Sequence, residues 1–83
     1  MEKKVSLVTG SSSGLGKNIA SLLCKKGLIV YVTARRKNEL EKLKKECINY
    51  EGEIKIISGD LSDKNFRIKL ISDILRKENR LFD

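Results

Sequence analysis

Apolar and polar positions alternate in two different periods along this chain. Val5, Leu7 and Val8 form a short apolar run between a charged start and Gly10, the pattern of a buried strand over Val5–Thr9. From Leu15 the period lengthens, and Leu15, Ile19, Leu22 and Leu23 fall on one face of a predicted helix. Lys25, Lys26 and then Gly27 close that helix, cations suiting its negative end and glycine its C′ position. Leu28–Ala34 is rich in β-branched residues and reads as a second buried strand, followed at once by Arg35, Arg36 and Lys37. Asn38 is placed to cap a second helix with Glu39 and Glu41 early and lysines later. Its thin stripe is Leu40, Leu43 and Cys47, with Ile48 at its end. Tyr50–Gly52 is a turn and Ile54–Ile57 a third strand, left through Gly59-Asp60-Leu61. Ser62 or Asp63 then caps a third helix whose apolar face is Phe66, Leu70, Ile71, Ile74 and Leu75.

The order is β-α-β-α-β-α, with strands repeating roughly every 24 residues, the length of a right-handed crossover between parallel strands. The expectation is an α/β fold, half of a doubly wound parallel sheet, with strand order 3-2-1. Its 83 residues allow one small domain, residues 1–83. An apolar fraction of 40% is enough for a core. The net charge of +7 favours anionic partners, though the basic residues are spread along the chain. Nucleic acid is not expected, for the chain has no zinc motif, aromatic-bearing sheet or helix of clustered base-reading side chains. Cys24 and Cys47 read as buried free thiols in a reducing compartment, with no histidine to share a metal. No apolar stretch is long enough for a leader or a bilayer span, so a soluble, cytoplasmic protein is expected.

The candidate chemistry lies between the first strand and helix, in T-G-S-S-S-G-L-G-K. A P-loop needs glycine, four residues, then Gly-Lys-Ser/Thr. Here Asn18 follows Gly16-Lys17, and Ser11 stands where the first glycine should. Glycines at 10, 14 and 16 also depart from the G-x-G-x-x-G spacing. Each still has a role in a strand–turn–helix phosphate cradle: Gly10 for the sharp exit, Gly14 for close approach of a pyrophosphate, Gly16 for close packing of helix on strand. Ser11, Ser12 and Ser13 offer hydroxyls to phosphate or ribose oxygens.

Thr9-Gly10-Ser11-Ser12-Ser13-Gly14-Leu15-Gly16 resembles the T-G-x-x-x-G-x-G signature of the short-chain dehydrogenase/reductase family. V-T-A-R-R at 32–36 and Gly59-Asp60-Leu61-Ser62-Asp63 extend the likeness in order and spacing. The resemblance implies a partial Rossmann-type doubly wound sheet that binds a nicotinamide dinucleotide at Gly10, Ser11, Ser12, Ser13, Gly14, Leu15 and Gly16. At the end of the second strand, NAD-preferring enzymes place an acidic side chain on the ribose hydroxyls. Here Ala34 leaves room and Arg35 and Arg36 offer guanidinium forks to a 2′-phosphate, so NADP(H) is the expected cofactor. By the same resemblance Asp60 meets the adenine amino group with Leu61 packed nearby; an Asx-turn aspartate is the alternative.

The family reduces carbonyls or oxidises alcohols by hydride transfer, using a serine and a Tyr-x-x-x-Lys pair well downstream of the glycine loop. Tyr31 is followed four residues on by Arg35 and Tyr50 by Ile54, so neither is that tyrosine and no catalytic residue is assigned. The expected function is the NADP(H)-binding N-terminal part of an oxidoreductase acting on a ketone or 3-oxoacyl group, a non-catalytic nucleotide-binding module being the alternative. In strand order 3-2-1-4 the fourth strand would cover the first. Leu81-Phe82-Asp83 stands where it would begin, so the first strand's edge and the third helix's face are expected to invite self-association.

Overall fold

The computed structural model describes residues 3–11 and 14–78, so the first two residues, Ser12, Ser13 and residues 79–83 lie outside the described residues. The strands are β1 (Val5–Thr9), β2 (Ile29–Thr33) and β3 (Glu53–Ile56); the helices are α1 (Gly14–Lys25), α2 (Lys37–Glu46) and α3 (Lys64–Glu78). All strand pairs are parallel, with β2 between β1 and β3, which is the expected 3-2-1 order. The register pairs Leu7 with Tyr31 and Tyr31 with Lys55. Successive residues point to opposite faces, so β2 divides its side chains between two cores. Val30, Val32 and Ala34 join Ala20, Cys24, Leu40, Leu43 and Ile54 beneath α1 and α2. Tyr31 joins Leu70 and Ile74 beneath α3. Covered on both faces, β2 needs the near-continuous apolar run that its sequence shows.

The sheet-facing side of α1 differs from expectation. Leu15, Ile19 and Leu22 are exposed, whereas Ala20 and Cys24 are fully buried and Leu23 is half-buried. The reason is distance: α1 lies so close to the end of β1 that small residues fit beneath it and the large ones are turned aside. Its C-terminus follows expectation, with Gly27 N–H donating to Cys24 O (3.0 Å) and Leu28 N–H to Leu23 O (3.1 Å), a Schellman turn.

Two other local expectations change. Helix α2 starts directly from the turn off β2, with extended Arg36 at the N-cap and no side-chain cap bond, so Asn38 lies inside the first turn. Ile48 falls beyond Cys47, the C-cap, and is exposed. At α3 the cap is Asp63 rather than Ser62, its Oδ1 accepting the Asn65 N–H at 2.9 Å. Phe66, Leu70 and Ile74 face the sheet, while Ile71 and Leu75 are exposed. Both thiols are free and buried between α1 and α2, as expected. Burial, then the neighbouring Cys47 thiol, pushes the Cys24 thiol up.

A polar anchor that the apolar pattern conceals ties the end of α3 to the sheet. The buried Tyr31 hydroxyl donates to Glu78 Oε2, and the Lys55 ammonium reaches the same oxygen at 3.1 Å. Lys55 Nζ also lies 5.6 Å from the centre of the Tyr31 ring. Burial, then the bond to Glu78, raises the Tyr31 phenol above its ordinary value, and the Glu78 bond raises Lys55. Both groups therefore hold their protons more tightly in the folded than in the unfolded chain. Their contribution is complete below about pH 10 and is lost as pH rises through the raised folded values. The unfolding free energy should fall above about pH 10 in denaturant titrations, and Tyr31→Phe should flatten that fall. Glu78→Ala strips both groups of a shared acceptor and should cost about 1–3 kcal/mol, a melting temperature roughly 5–20 °C lower by circular dichroism.

Candidate functional site

The three loops leaving the strands converge at the carboxyl end of the sheet, where ligands bind in open α/β folds. Backbone bonds stitch them together: Ser11 N–H donates to Thr33 O (3.3 Å), Ile57 N–H to Val32 O (3.1 Å) and Gly59 N–H to Ala34 O (3.1 Å). These bonds continue the sheet's ladder past the strand ends and hold a cleft of about 600 Å³ open between the loops. Gly10, Ala34, Arg35, Arg36, Gly59, Asp60, Leu61 and Ser62 line it.

The floor of this cleft is the glycine turn. Gly10 has φ +65°, a conformation a side chain would strain. Gly16, in the first turn of α1, stands against that turn: a Cβ there would lie 2.5 Å from Gly10 O and 3.3 Å from Thr9 O. Only glycine lets the helix N-terminus come down onto the strand end, the approach that aims its free N–H groups at a ligand. Leu15 is 76% exposed at that N-terminus. Ser11 does not take the place expected for it. Its side chain is fully buried and its hydroxyl donates to Val8 O at 2.5 Å, so it pins the turn from beneath and offers the cleft no hydroxyl proton. Ser12 and Ser13 lie outside the described residues.

One wall is basic. Ala34 is nearly covered, Arg35 and Arg36 are exposed, and neither arginine forms an ion pair among the described residues. Facing them, Asp60 Oδ1 accepts from both the backbone N–H (2.9 Å) and the hydroxyl (2.8 Å) of Ser62. The Asx-turn reading of Asp60 is therefore realised, and it leaves the exposed residue on the cleft wall. The Ser62 N–H, then its hydroxyl, then the Arg35 charge hold the Asp60 carboxyl below its ordinary value, so it is an anion. Leu61, like Phe66, packs against the Tyr31–Leu70–Ile74 cluster beneath α3, and its carbonyl accepts from Arg67 Nη1 at 2.7 Å. The Phe66 ring lies where a Gly59 side chain would be.

Gly10, Arg35, Arg36, Asp60 and Leu61 thus line one cleft, and Gly14, Leu15 and Gly16 form the start of α1. Gly59 and Ser62 are cleft residues that sequence reasoning missed. The Asp60-x-Ser62 spacing, which favours an Asx turn, was the available signal for the second. Among the described residues no group of side chains suits a metal ion, and no helix is long and apolar enough to cross a membrane. Tyr31 lies beneath α3 and Tyr50 follows the end of α2, so neither lines the cleft.

A sequence profile described as short chain dehydrogenase matches residues 4–81. A probable 2,4-dienoyl-CoA reductase of Bacillus subtilis is 35% identical over 81 residues, which are 98% of this chain and 32% of that protein. A metagenomic short-chain oxidoreductase solved in complex with NADP superimposes with a TM-score of 0.87 at 31% identity, over 93% of this chain and 35% of that one. YwfH, an NADPH-dependent reductase involved in bacilysin biosynthesis, superimposes with a TM-score of 0.88 at 27% identity, over 96% of this chain and 35% of that one. The chain spans about a third of the length of these proteins.

Gly16→Ala would drive a methyl group into rigid backbone. It should cost about 1–3 kcal/mol and lower the melting temperature by roughly 5–20 °C. Gly14→Ala meets no atom within 4 Å but sits at φ +22°, which a side chain would strain, so it too should lower the melting temperature, through the backbone rather than a clash; thermal melts of the two variants check both.

Proposed function

The chain belongs to the short-chain dehydrogenase family, and from that membership we propose that it is the NADP(H)-binding part of an oxidoreductase that transfers hydride to or from a ketone or 3-oxoacyl substrate. The observation that carries the cofactor choice is the cleft wall of Ala34, Arg35 and Arg36, at the end of β2. An acidic side chain there would accept bonds from ribose hydroxyls and repel a 2′-phosphate. Alanine followed by two guanidinium groups without an ion pair among the described residues favours the phosphate instead. The NADP bound by the metagenomic relative and the NADPH dependence of YwfH point the same way.

In this reading Gly10, Gly14, Leu15 and Gly16, at the α1 N-terminus, would hold the pyrophosphate, and Ser12 and Ser13 would offer it hydroxyls. Ser11 serves by fixing the turn. Arg35 and Arg36 take the 2′-phosphate, and the exposed side of Asp60 accepts from the adenine amino group while Leu61 lines the base. The bound cofactor supplies the hydride. The residues around the cleft bind and orient it, with neither tyrosine near.

Titration with NADPH and NADH, followed by nicotinamide fluorescence, tests the assignment. Arg35→Ala should weaken NADPH binding roughly ten- to hundredfold, the worth of one charge-assisted bond of about 1.5–3 kcal/mol, and leave NADH binding unchanged. Full retention of the NADPH preference in Arg35→Ala would remove the basis for choosing NADP.

A further inference from the structure

Asp60 is the single carboxylate among the described residues that line the cleft, and its two oxygens are not equivalent. Oδ1 accepts the Ser62 N–H at 2.9 Å and the Ser62 hydroxyl at 2.8 Å. A carboxylate oxygen has two lone pairs, so these two donors fill Oδ1. Oδ2 takes no hydrogen bond among the described residues and is the oxygen left for a ligand. Arg35 acts on the carboxyl only through its charge, for the two form no ion pair.

The turn that carries this carboxylate is held from both ends. Gly59 N–H donates to Ala34 O at 3.1 Å, which ties the start of the loop to β2. Asp63 N–H donates to Asp60 O (3.0 Å) and Arg67 Nη1 to Leu61 O (2.7 Å), which ties its far side to the start of α3. Phe66 occupies the space where a Gly59 side chain would stand, so the loop cannot settle further toward that helix. Every one of these contacts lies between Ala34 and Arg67. The carboxyl is planar, so holding Oδ1 on a fixed turn also fixes the place of Oδ2.

We propose that Ser62 is a positioning residue that sets the base selectivity of the cleft: by holding Oδ1 it presents Oδ2 as an acceptor, which takes a 6-amino purine and turns away a 6-oxo one. This rests on the reading of the cleft as a dinucleotide site with the base beside Asp60. Adenine offers an exocyclic N–H there. A 6-oxo purine offers a carbonyl oxygen in the same place, and two acceptors do not bond. Without the Ser62 hydroxyl the carboxyl turns more freely about its last torsion, and the discrimination weakens.

The same geometry predicts the behaviour of the amide. In Asp60→Asn the two Ser62 donors can bond only the amide oxygen, so the NH2 group takes the Oδ2 position. The cleft then shows the base a donor, and its preference inverts toward the 6-oxo purine. With Ser62 a bystander there would be no inversion, because an amide free to flip can bond either base.

Titration of the chain with NADPH and with its deamino analogue, hypoxanthine in place of adenine, followed by nicotinamide fluorescence, gives the selectivity ratio. The unaltered chain should favour NADPH by about tenfold. Ser62→Ala, which keeps the backbone donor, should lower that ratio by roughly threefold, and Ser62→Thr should keep it. Asp60→Asn should favour the analogue, and adding Ser62→Ala to it should bring the ratio to about one. With no ligand present, the Asp60 carboxyl followed by NMR should titrate at higher pH in Ser62→Ala, since a bond that lowers it is gone. The proposal is overturned if Ser62→Ala leaves either the ratio or the Asp60 titration unchanged, or if Asp60→Asn still favours NADPH. Equal binding of both dinucleotides by the unaltered chain, with the Arg35→Ala loss intact, overturns it and leaves the cofactor reading standing. A chain that binds neither dinucleotide brings down both.

Discussion

The site depends on one close approach: the first turn of α1 against the backbone at the end of β1. A Cβ on Gly16 would stand 2.5 Å from Gly10 O, so the contact exists only because that side chain is missing. From this point the rest of α1 is determined. Its sheet side must carry small residues, Ala20 and Cys24, and its bulky ones must turn outward. Its N-terminus arrives beside the β1 loop, and the loop in turn is tied to β2 through Ser11 and Thr33. The helix N-terminus that opens onto the cleft is thus placed there by packing before any polar side chain is considered.

That order of causes explains what could be read from the chain. Strand order, the parallel direction of the strands and the placing of Arg35, Arg36 and Asp60 at strand ends follow from element spacing, and that quantity is linear in sequence. The face of α1 did not follow, because hydrophobic periodicity assumes that large apolar residues mark the buried side. Where a helix lies unusually near a sheet, volume outweighs hydrophobicity and alanine, cysteine and glycine occupy the inside. Ser11 was misplaced for a related reason: three successive serines look alike, and only the turn geometry sends the first one inward to Val8 O.

Tyr31 and Lys55 show a different limit. Both belong to strands, stand opposite one another in register and share a face, which the parallel pairing makes predictable. Their common acceptor, Glu78, comes from the end of α3 after a long intervening loop and helix. Its position depends on how far α3 runs before its last turn meets β2, a length that local pattern does not specify. The anchor does for α3 what the small residues do for α1: it fixes the helix relative to the central strand. It uses a carboxylate shared by two donors, since the far larger Tyr31 side chain holds α3 away from the backbone.

The two helices therefore stand at different heights over one sheet, and this difference shapes the cleft. On the α1 side the wall is bare backbone and a helix N-terminus, suited to a diffuse anion close by. On the α3 side Phe66 fills the space above Gly59, and Leu61 and the Asp60–Ser62 turn project from that packing as a raised rim. Arg35 and Arg36 lie between, at the end of the strand that both helices cover. A ligand entering here meets a low electropositive floor, a cationic middle and a rim carrying one carboxylate. A dinucleotide with phosphates at its centre and a hydrogen-bonding base at one end matches that sequence of environments along its length. The asymmetry in helix height, set by Gly16 on one side and Tyr31 on the other, is what lays those environments out in a line.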